Sequence, residues 1–190
     1  DVLSQGFEAV AKFLHTQAIY DADDLPYPMQ LVVMSPLFAI LGESLKLDSV
    51  RAKLEQWFYC GAASGIYSRS REATAAKDLI EVPLWLLNEG ETPTTVKEAH
   101  LTAERLQSFV NSQGSAYRAI SALLRRDGAL DFLTGEPIDC VKYFEEKIEN
   151  HHIFPQKWCQ EMGIPRNKYN RIVNETRLGI LAQRVRWHHA

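Results

Sequence analysis

The sequence predicts a mainly α protein, with a helical body over residues 1–130 and a small C-terminal β-β-α unit over 131–190. Apolar residues recur at helical spacing through the body. In the last third of the chain, Gly and Pro separate short β-branched and aromatic stretches, which is typical of strands and turns. The apolar share of 46% and charged share of 24% are ordinary for a globular protein. Trp57, Phe58 and Tyr59 are expected in the core.

Six segments of the body are expected to be helical, the second because it is nearly all apolar and the others because of the spacing and capping signals in their sequences. They are 4–16, 29–41, 48–58, 70–87, 96–109 and 115–126. Pro36 predicts a bend in the second helix. Thr95, with Glu98 three residues later, has the spacing of a capping box before the fifth. Asp127-Gly128 is expected to end the sixth.

The C-terminal part is expected to begin between residues 128 and 140. The sequence predicts a first strand over 147–153, a short helix or loop over 155–162 and a second strand over 172–180. A helix is expected from Leu181 onward. These elements make the β-β-α order of the predicted unit.

Charge is distributed unevenly along the chain. Residues 1–140 contain 12 basic and 19 acidic residues, whereas residues 141–190 contain 9 basic and 5 acidic ones. From Arg166 onward six basic residues accompany a single acidic one, Glu175. A basic end of this kind can contact the phosphates of a nucleic acid. The alternative is an ordinary solvated surface.

The remaining composition predicts a cytoplasmic protein with no membrane partner. No apolar run reaches the roughly 18 residues that a membrane helix needs, and the longest candidate is 29–41. The three cysteines are odd in number and have no C-x-x-C spacing, which argues against a disulfide scaffold or a cysteine-based zinc finger. Because the chain opens on Asp1, we expect it to be a domain of a longer protein.

Two adjacent histidines, His151 and His152, are the most informative chemical feature. Strand geometry would place their side chains on opposite faces, unless the turn expected at Pro155 swings both towards one point. One imidazole could then bind a metal while the other acts as a general base, a role that histidine suits at neutral pH. The alternative is that they are ordinary polar residues.

Two motifs in the C-terminal part resemble a known family. They are His151-His152-Ile-Phe-Pro155 and Tyr169-Asn-Arg-Ile-Val-Asn174-Glu-Thr-Arg-Leu178. Together they are similar to the HNH (His-Me finger, ββα-metal) nuclease domain at the C-terminal end of GmrSD-type restriction endonucleases. Weaker similarities in the body are Trp57-Phe-Tyr-Cys-Gly61, Gly65-Ile-Tyr67, Glu72, Asp78, Arg125-Arg-Asp-Gly128 and Asp131-Phe-Leu-Thr-Gly135. The resemblance covers roughly residues 45–186.

The resemblance implies a set of site residues. His151 matches a metal ligand, and His152 matches the general base that activates water. Asn174 matches the asparagine that holds the metal loop and orients the base. The last ligand is usually Asn or His, and the matching residue here is Gln183. The cofactor implied is a divalent metal, first Mg²⁺, with Mn²⁺, Ni²⁺ or Zn²⁺ as alternatives.

Gln183 departs from the pattern because its amide oxygen sits on a stem one methylene longer than that of Asn. The chain also ends seven residues later, earlier than in the family, which suggests a truncated or altered end. His188 or His189 could replace the missing ligand. Candidate phosphate contacts are Lys157, Arg177, Arg184 and Arg186.

Three functions therefore remain open. The first is a metal-dependent DNA endonuclease domain of a restriction or anti-phage defence protein, with modified phage DNA as the implied substrate. The second is a catalytically weak or inactive HNH-fold module that binds DNA. The third is a helical interaction domain in which the histidine pair is structural. The nucleotide-hydrolysing N-terminal domain of the family has no counterpart here and would be a partner.

Overall fold

Helices build most of the protein in the computed structural model, which describes residues 2–109, 114–132, 134–145 and 149–178. The predicted mainly α class is confirmed. The helices within those ranges are α1 (Val2–Thr16), α2 (Pro28–Leu41), α3 (Asp48–Ser64), α4 (Ile66–Arg69), α5 (Arg71–Leu86), α6 (Thr94–Lys97), α7 (Ala103–Gln107), α8 (Ser115–Arg126), α9 (Cys140–Glu145), α10 (Gln156–Glu161) and α11 (Arg166–Tyr169). Short 3₁₀ helices cover Gly42–Lys46 and Ile172–Asn174, and the strands are β1 (Glu149–His152) and β2 (Glu175–Leu178).

The core lies where α1, α2, α3, α5 and α8 pack together. Trp57 and Phe58 are fully buried there, as predicted, and Tyr59 is half-buried against the edge of the core. Gly6 lets α1 approach α2, since a Cβ at this position would lie 2.7 Å from the Ser35 carbonyl oxygen. The first two helices are therefore fixed by close backbone contact as well as by apolar burial.

The segment Pro28–Lys46 is long and apolar enough, by length and composition, to cross a membrane. This differs from the sequence prediction because the 3₁₀ helix at Gly42–Lys46 continues α2 beyond its expected end. Pro36 lies inside α2 without interrupting it. Val33 and Met34 are fully buried in the centre of the core. This burial is that of a core helix, and a core helix can meet the same criteria of length and composition.

The helix expected over 96–109 is not continuous. The structure has the short helices α6 and α7 instead, with non-helical backbone between them. The capping-box prediction is wrong because the Thr95 hydroxyl is buried and donates to Asp78 Oδ1 at 2.7 Å. The Thr94 backbone N–H donates to Glu81 Oε2 at 2.6 Å. Tertiary hydrogen bonds to α5 therefore replace the local cap.

Asp78 on α5 is a fully buried carboxylate at the centre of the body. Its oxygens accept hydrogen bonds from Trp57 Nε1 at 2.9 Å, from the Thr95 hydroxyl and from the Tyr67 hydroxyl. Burial raises the pKa of Asp78 above its ordinary value of 3.8, against the three hydrogen bonds, which lower it. The Asp78 side chain therefore joins α5 to three other helices, α3, α4 and α6.

We predict that Asp78 makes stability depend on pH. Below its ordinary pKa of 3.8, both the folded and the unfolded chain hold the proton. As the pH rises, the unfolded chain releases it first, which favours unfolding until the raised folded pKa is passed. The free energy of unfolding of the wild type, relative to Asp78→Asn, should therefore fall as the pH rises above 3.8.

Urea unfolding followed by circular dichroism over a pH series measures this difference. Asp48→Asn is the matched control, because the Asp48 side chain is fully exposed and should show no such trend. A wild-type advantage that grows with pH would contradict the prediction.

The C-terminal part contains an antiparallel hairpin of β1 and β2. The strands lie within the predicted segments, and α10 lies where a short helix or loop was expected. The helix α9 was not predicted. The helix expected from Leu181 lies outside the described residues. A backbone hydrogen bond from Ile172 N–H to the Phe109 carbonyl (2.9 Å) connects this part to the body.

Candidate functional site

The hairpin places both histidines in β1, before the turn that follows the strand. His151 pairs with Thr176 and His152 with Glu175. Because neighbouring side chains of a strand leave it on opposite faces, the two imidazoles diverge, and the turn at Pro155 does not swing both towards one point. His152 lies on the side of α10 and α11, where its ring meets the edge of Tyr169 at a centroid distance of 6.3 Å.

Two amide side chains lie next to the His152 ring. Its Nε2 atom lies 3.0 Å from Asn170 Oδ1, whereas Gln156 Nε2 lies 3.4 Å from both ring nitrogens, too far for a strong hydrogen bond to either. With the amide oxygen of Asn170 towards the ring, Nε2 carries the proton of the neutral tautomer, because an oxygen can only accept. The lone pair then lies on Nδ1. His152 is 16% exposed, so water can reach it.

Glu175 is a site residue that the sequence analysis did not single out. Its Oε1 atom lies 3.9 Å from His152 Nε2, and its Oε2 accepts a 2.7 Å hydrogen bond from the Tyr117 hydroxyl on α8. The Glu175 side chain is 7% exposed. The available signal was an isolated acidic residue in a basic segment. The carboxylate is thus fixed by the body and placed to stabilise positive charge on His152.

Asn174 connects Phe154, just after β1, to Tyr169 at the end of α11. Its Oδ1 accepts from the Phe154 N–H at 3.0 Å, and its Nδ2 donates to the Tyr169 carbonyl at 2.8 Å and the Phe154 carbonyl at 3.3 Å. The Ile153 N–H donates to the Asn174 carbonyl at 2.8 Å. Asn174 therefore connects the turn after β1 to the turn before β2.

Only some of the residues predicted to contact DNA lie in the part of the chain that the structure describes. Lys157 is exposed on α10, with its Nζ 4.0 Å from Glu161 Oε1. Arg177 pairs with Asn150 in the hairpin, but its side chain is not among those described. Gln183, Arg184 and Arg186 lie outside the described residues.

Comparisons with known proteins give one informative similarity. No family model matches the chain. An uncharacterized protein of Methanocaldococcus jannaschii is 30% identical over 128 residues, which cover 65% of this chain and 21% of that protein. No solved structure matches. The chain thus spans about a fifth of the length of this relative. The similarity therefore assigns no activity to the chain.

Of the two metal ligands that the resemblance implies, the structure describes His151 but not Gln183. The Nε2 atom of the His151 imidazole is buried. Among the described residues, no group of three or more His, Cys, Asp or Glu side chains could hold a metal ion. The donor types, imidazole and amide oxygen, both suit a divalent cation. A complete set would need Gln183 from beyond the described residues.

Proposed function

We propose that this chain is a metal-dependent DNA endonuclease domain of the HNH (His-Me finger, ββα-metal) type. The observation that supports it best is His152 at the end of β1, between Asn170 and Glu175. A helix following residue 180 would complete the ββα-metal unit. We place the activity in the cytoplasm, in a restriction or anti-phage defence protein that acts on DNA, including modified phage DNA.

The proposed proton transfer uses Nδ1 of His152. This atom takes a proton from the attacking water, while Nε2–H stays hydrogen-bonded to Asn170 Oδ1. The Glu175 carboxylate, 3.9 Å from Nε2, stabilises the imidazolium that forms. Asn174 keeps the turn after β1 in place while this happens. General-base catalysis of this kind contributes about 10²–10⁴-fold to a rate.

His151 and Gln183 would hold the divalent ion, Mg²⁺ in the first place. When bound, the ion would polarise a non-bridging phosphate oxygen and stabilise the leaving oxygen. Phosphate contacts are proposed for Lys157, Arg177, Arg184 and Arg186, because such contacts position DNA without reading its sequence. A nucleotide-hydrolysing N-terminal domain or subunit is the proposed partner.

An HNH-fold DNA-binding module of weak or no activity is the second candidate. Gln183 favours it, since a longer side chain displaces the amide oxygen from the position that Asn would give it. A displacement of about 1 Å in a catalytic group can cost on the order of a hundredfold in rate. Both candidates bind DNA, so cleavage separates them.

We predict that the purified chain nicks supercoiled plasmid in the presence of Mg²⁺, Mn²⁺ or Ni²⁺. Addition of EDTA should stop the nicking. The His152→Ala chain, purified in parallel, should nick about 10²–10⁴-fold more slowly, which excludes a contaminating nuclease. DNA binding without nicking would instead support the second candidate. In that case Gln183→Asn should restore nicking if ligand geometry is the cause. Neither binding nor nicking would contradict both candidates.

A further inference from the structure

A pocket of about 370 Å³ opens beside the candidate site, between α10, α11 and the turn before β2. This volume lies within the roughly 300–1,000 Å³ range of small-ligand sites. Its lining is mainly apolar and includes Phe154, Trp158, Ile164, Val173 and Lys168. Clusters of large exposed apolar side chains mark binding surfaces. The pocket is therefore a candidate subsite that the proton-transfer residues do not use.

Two exposed aromatic rings form one wall of this pocket. Phe154 is 57% and Trp158 39% exposed, and their rings stack at a centroid distance of 5.6 Å with 28° between their planes. The backbone at Phe154 is held in place, because its N–H donates to Asn174 Oδ1 and its carbonyl accepts from Cys159 Sγ at 3.6 Å. A flat, exposed aromatic surface suits stacking with another flat ring.

The charge around the pocket indicates an anionic ligand. Lys168 lines it, and residues 153–174 contain four basic side chains against one acidic side chain, Glu161. Aromatic stacking surfaces next to cationic side chains are what proteins use to bind unpaired nucleotides. An apolar peptide would match the rings but not the charge.

We infer that this pocket binds an unstacked nucleobase of the DNA strand, with the adjoining phosphate at Lys168. The inference rests on the proposed function for its substrate, and it adds that the substrate has an unpaired or extruded base. Tyr169 lines the pocket and also meets the edge of the His152 ring. Because Tyr169 contacts both, a base held there would lie close to the general base.

Fluorescence anisotropy tests this inference by measuring how the protein binds two labelled 12-nucleotide strands in the presence of EDTA. One strand is oligothymidine, and the other is an abasic strand with the same phosphates and no bases. Stacking of one base should make oligothymidine bind about 5- to 150-fold tighter. Trp158→Ala should remove this preference, and Trp158→Phe should keep most of it because a ring remains.

Met162→Ala is the matched control, since Met162 is exposed just after α10 but does not line the pocket. Equal affinity for the two strands, or no binding of either, would overturn the inference. Plasmid nicking distinguishes this result from failure of the proposed function. Nicking without base preference overturns the pocket alone, whereas base preference without nicking supports the pocket and contradicts the nuclease.

Discussion

Replacement of His152 by alanine is expected to slow plasmid nicking by about 10²–10⁴-fold, the usual contribution of a general base. The expected cause is that the variant lacks the imidazole nitrogen that takes the proton from water. Binding of DNA should not change, since the expected phosphate contacts come from other side chains. The initial rate of conversion of supercoiled to open-circular plasmid measures the first effect, and anisotropy with a labelled duplex measures the second.

His100→Ala is the matched control for this prediction, because His100 is an exposed histidine between α6 and α7. It should nick at the wild-type rate. Nicking by the His152→Ala variant at the wild-type rate would exclude His152 as the general base. A parallel loss of DNA binding would show that His152 contacts DNA directly.

Replacement of Asp24 by alanine is expected to lower the free energy of unfolding by about 3–5 kcal/mol, as is typical when one partner of a buried ion pair is removed. Asp24 Oδ2 lies 2.9 Å from NH2 of Arg125 on α8, and the two side chains are 7% and 1% exposed. The same guanidinium donates to the Ala18 carbonyl at 2.8 Å and lies over the Tyr143 ring. The variant would leave this charge buried without its carboxylate.

Urea unfolding of Asp24→Ala, Arg125→Met and the double variant measures this effect. The double variant should cost less than the sum of the single ones, because it leaves no uncompensated charge. Glu43→Ala, which removes an exposed pair with Lys46, is the control and should change stability little. A loss for Asp24→Ala no larger than for this control would contradict the prediction.

Capping and turn residues predicted the ends of helices correctly where no side chain from another helix bound them. The bounds of α8 agree with the sequence prediction, because Asp127-Gly128 ends the helix and Gly128 adopts a positive φ of 86°. The prediction failed at Thr95, where the capping spacing is present but the hydroxyl binds Asp78 on α5. Such a tertiary preference depends on which helices meet, and the local pattern contains no information about it.

Only part of the candidate site can be recognised in the sequence. His151 and His152 are adjacent, so the sequence reveals them at once. Glu175 reaches His152 only through the cross-strand register, and Tyr117 lies 58 positions from Glu175. Residue spacing along the chain cannot indicate contacts of that range. The catalytic and metal-binding roles themselves stay predictions.

The hydrogen bond between Tyr117 and Glu175 has a consequence for how this chain can be divided. A fragment cut at residue 130, the predicted domain boundary, would keep His152 and lose the hydroxyl that holds its neighbouring carboxylate. The hairpin alone would therefore not keep the geometry of the candidate site when separated from the helical body. A chimaera that transplants it onto another scaffold would have to supply a tyrosine, or an equivalent donor, at the place that α8 occupies here.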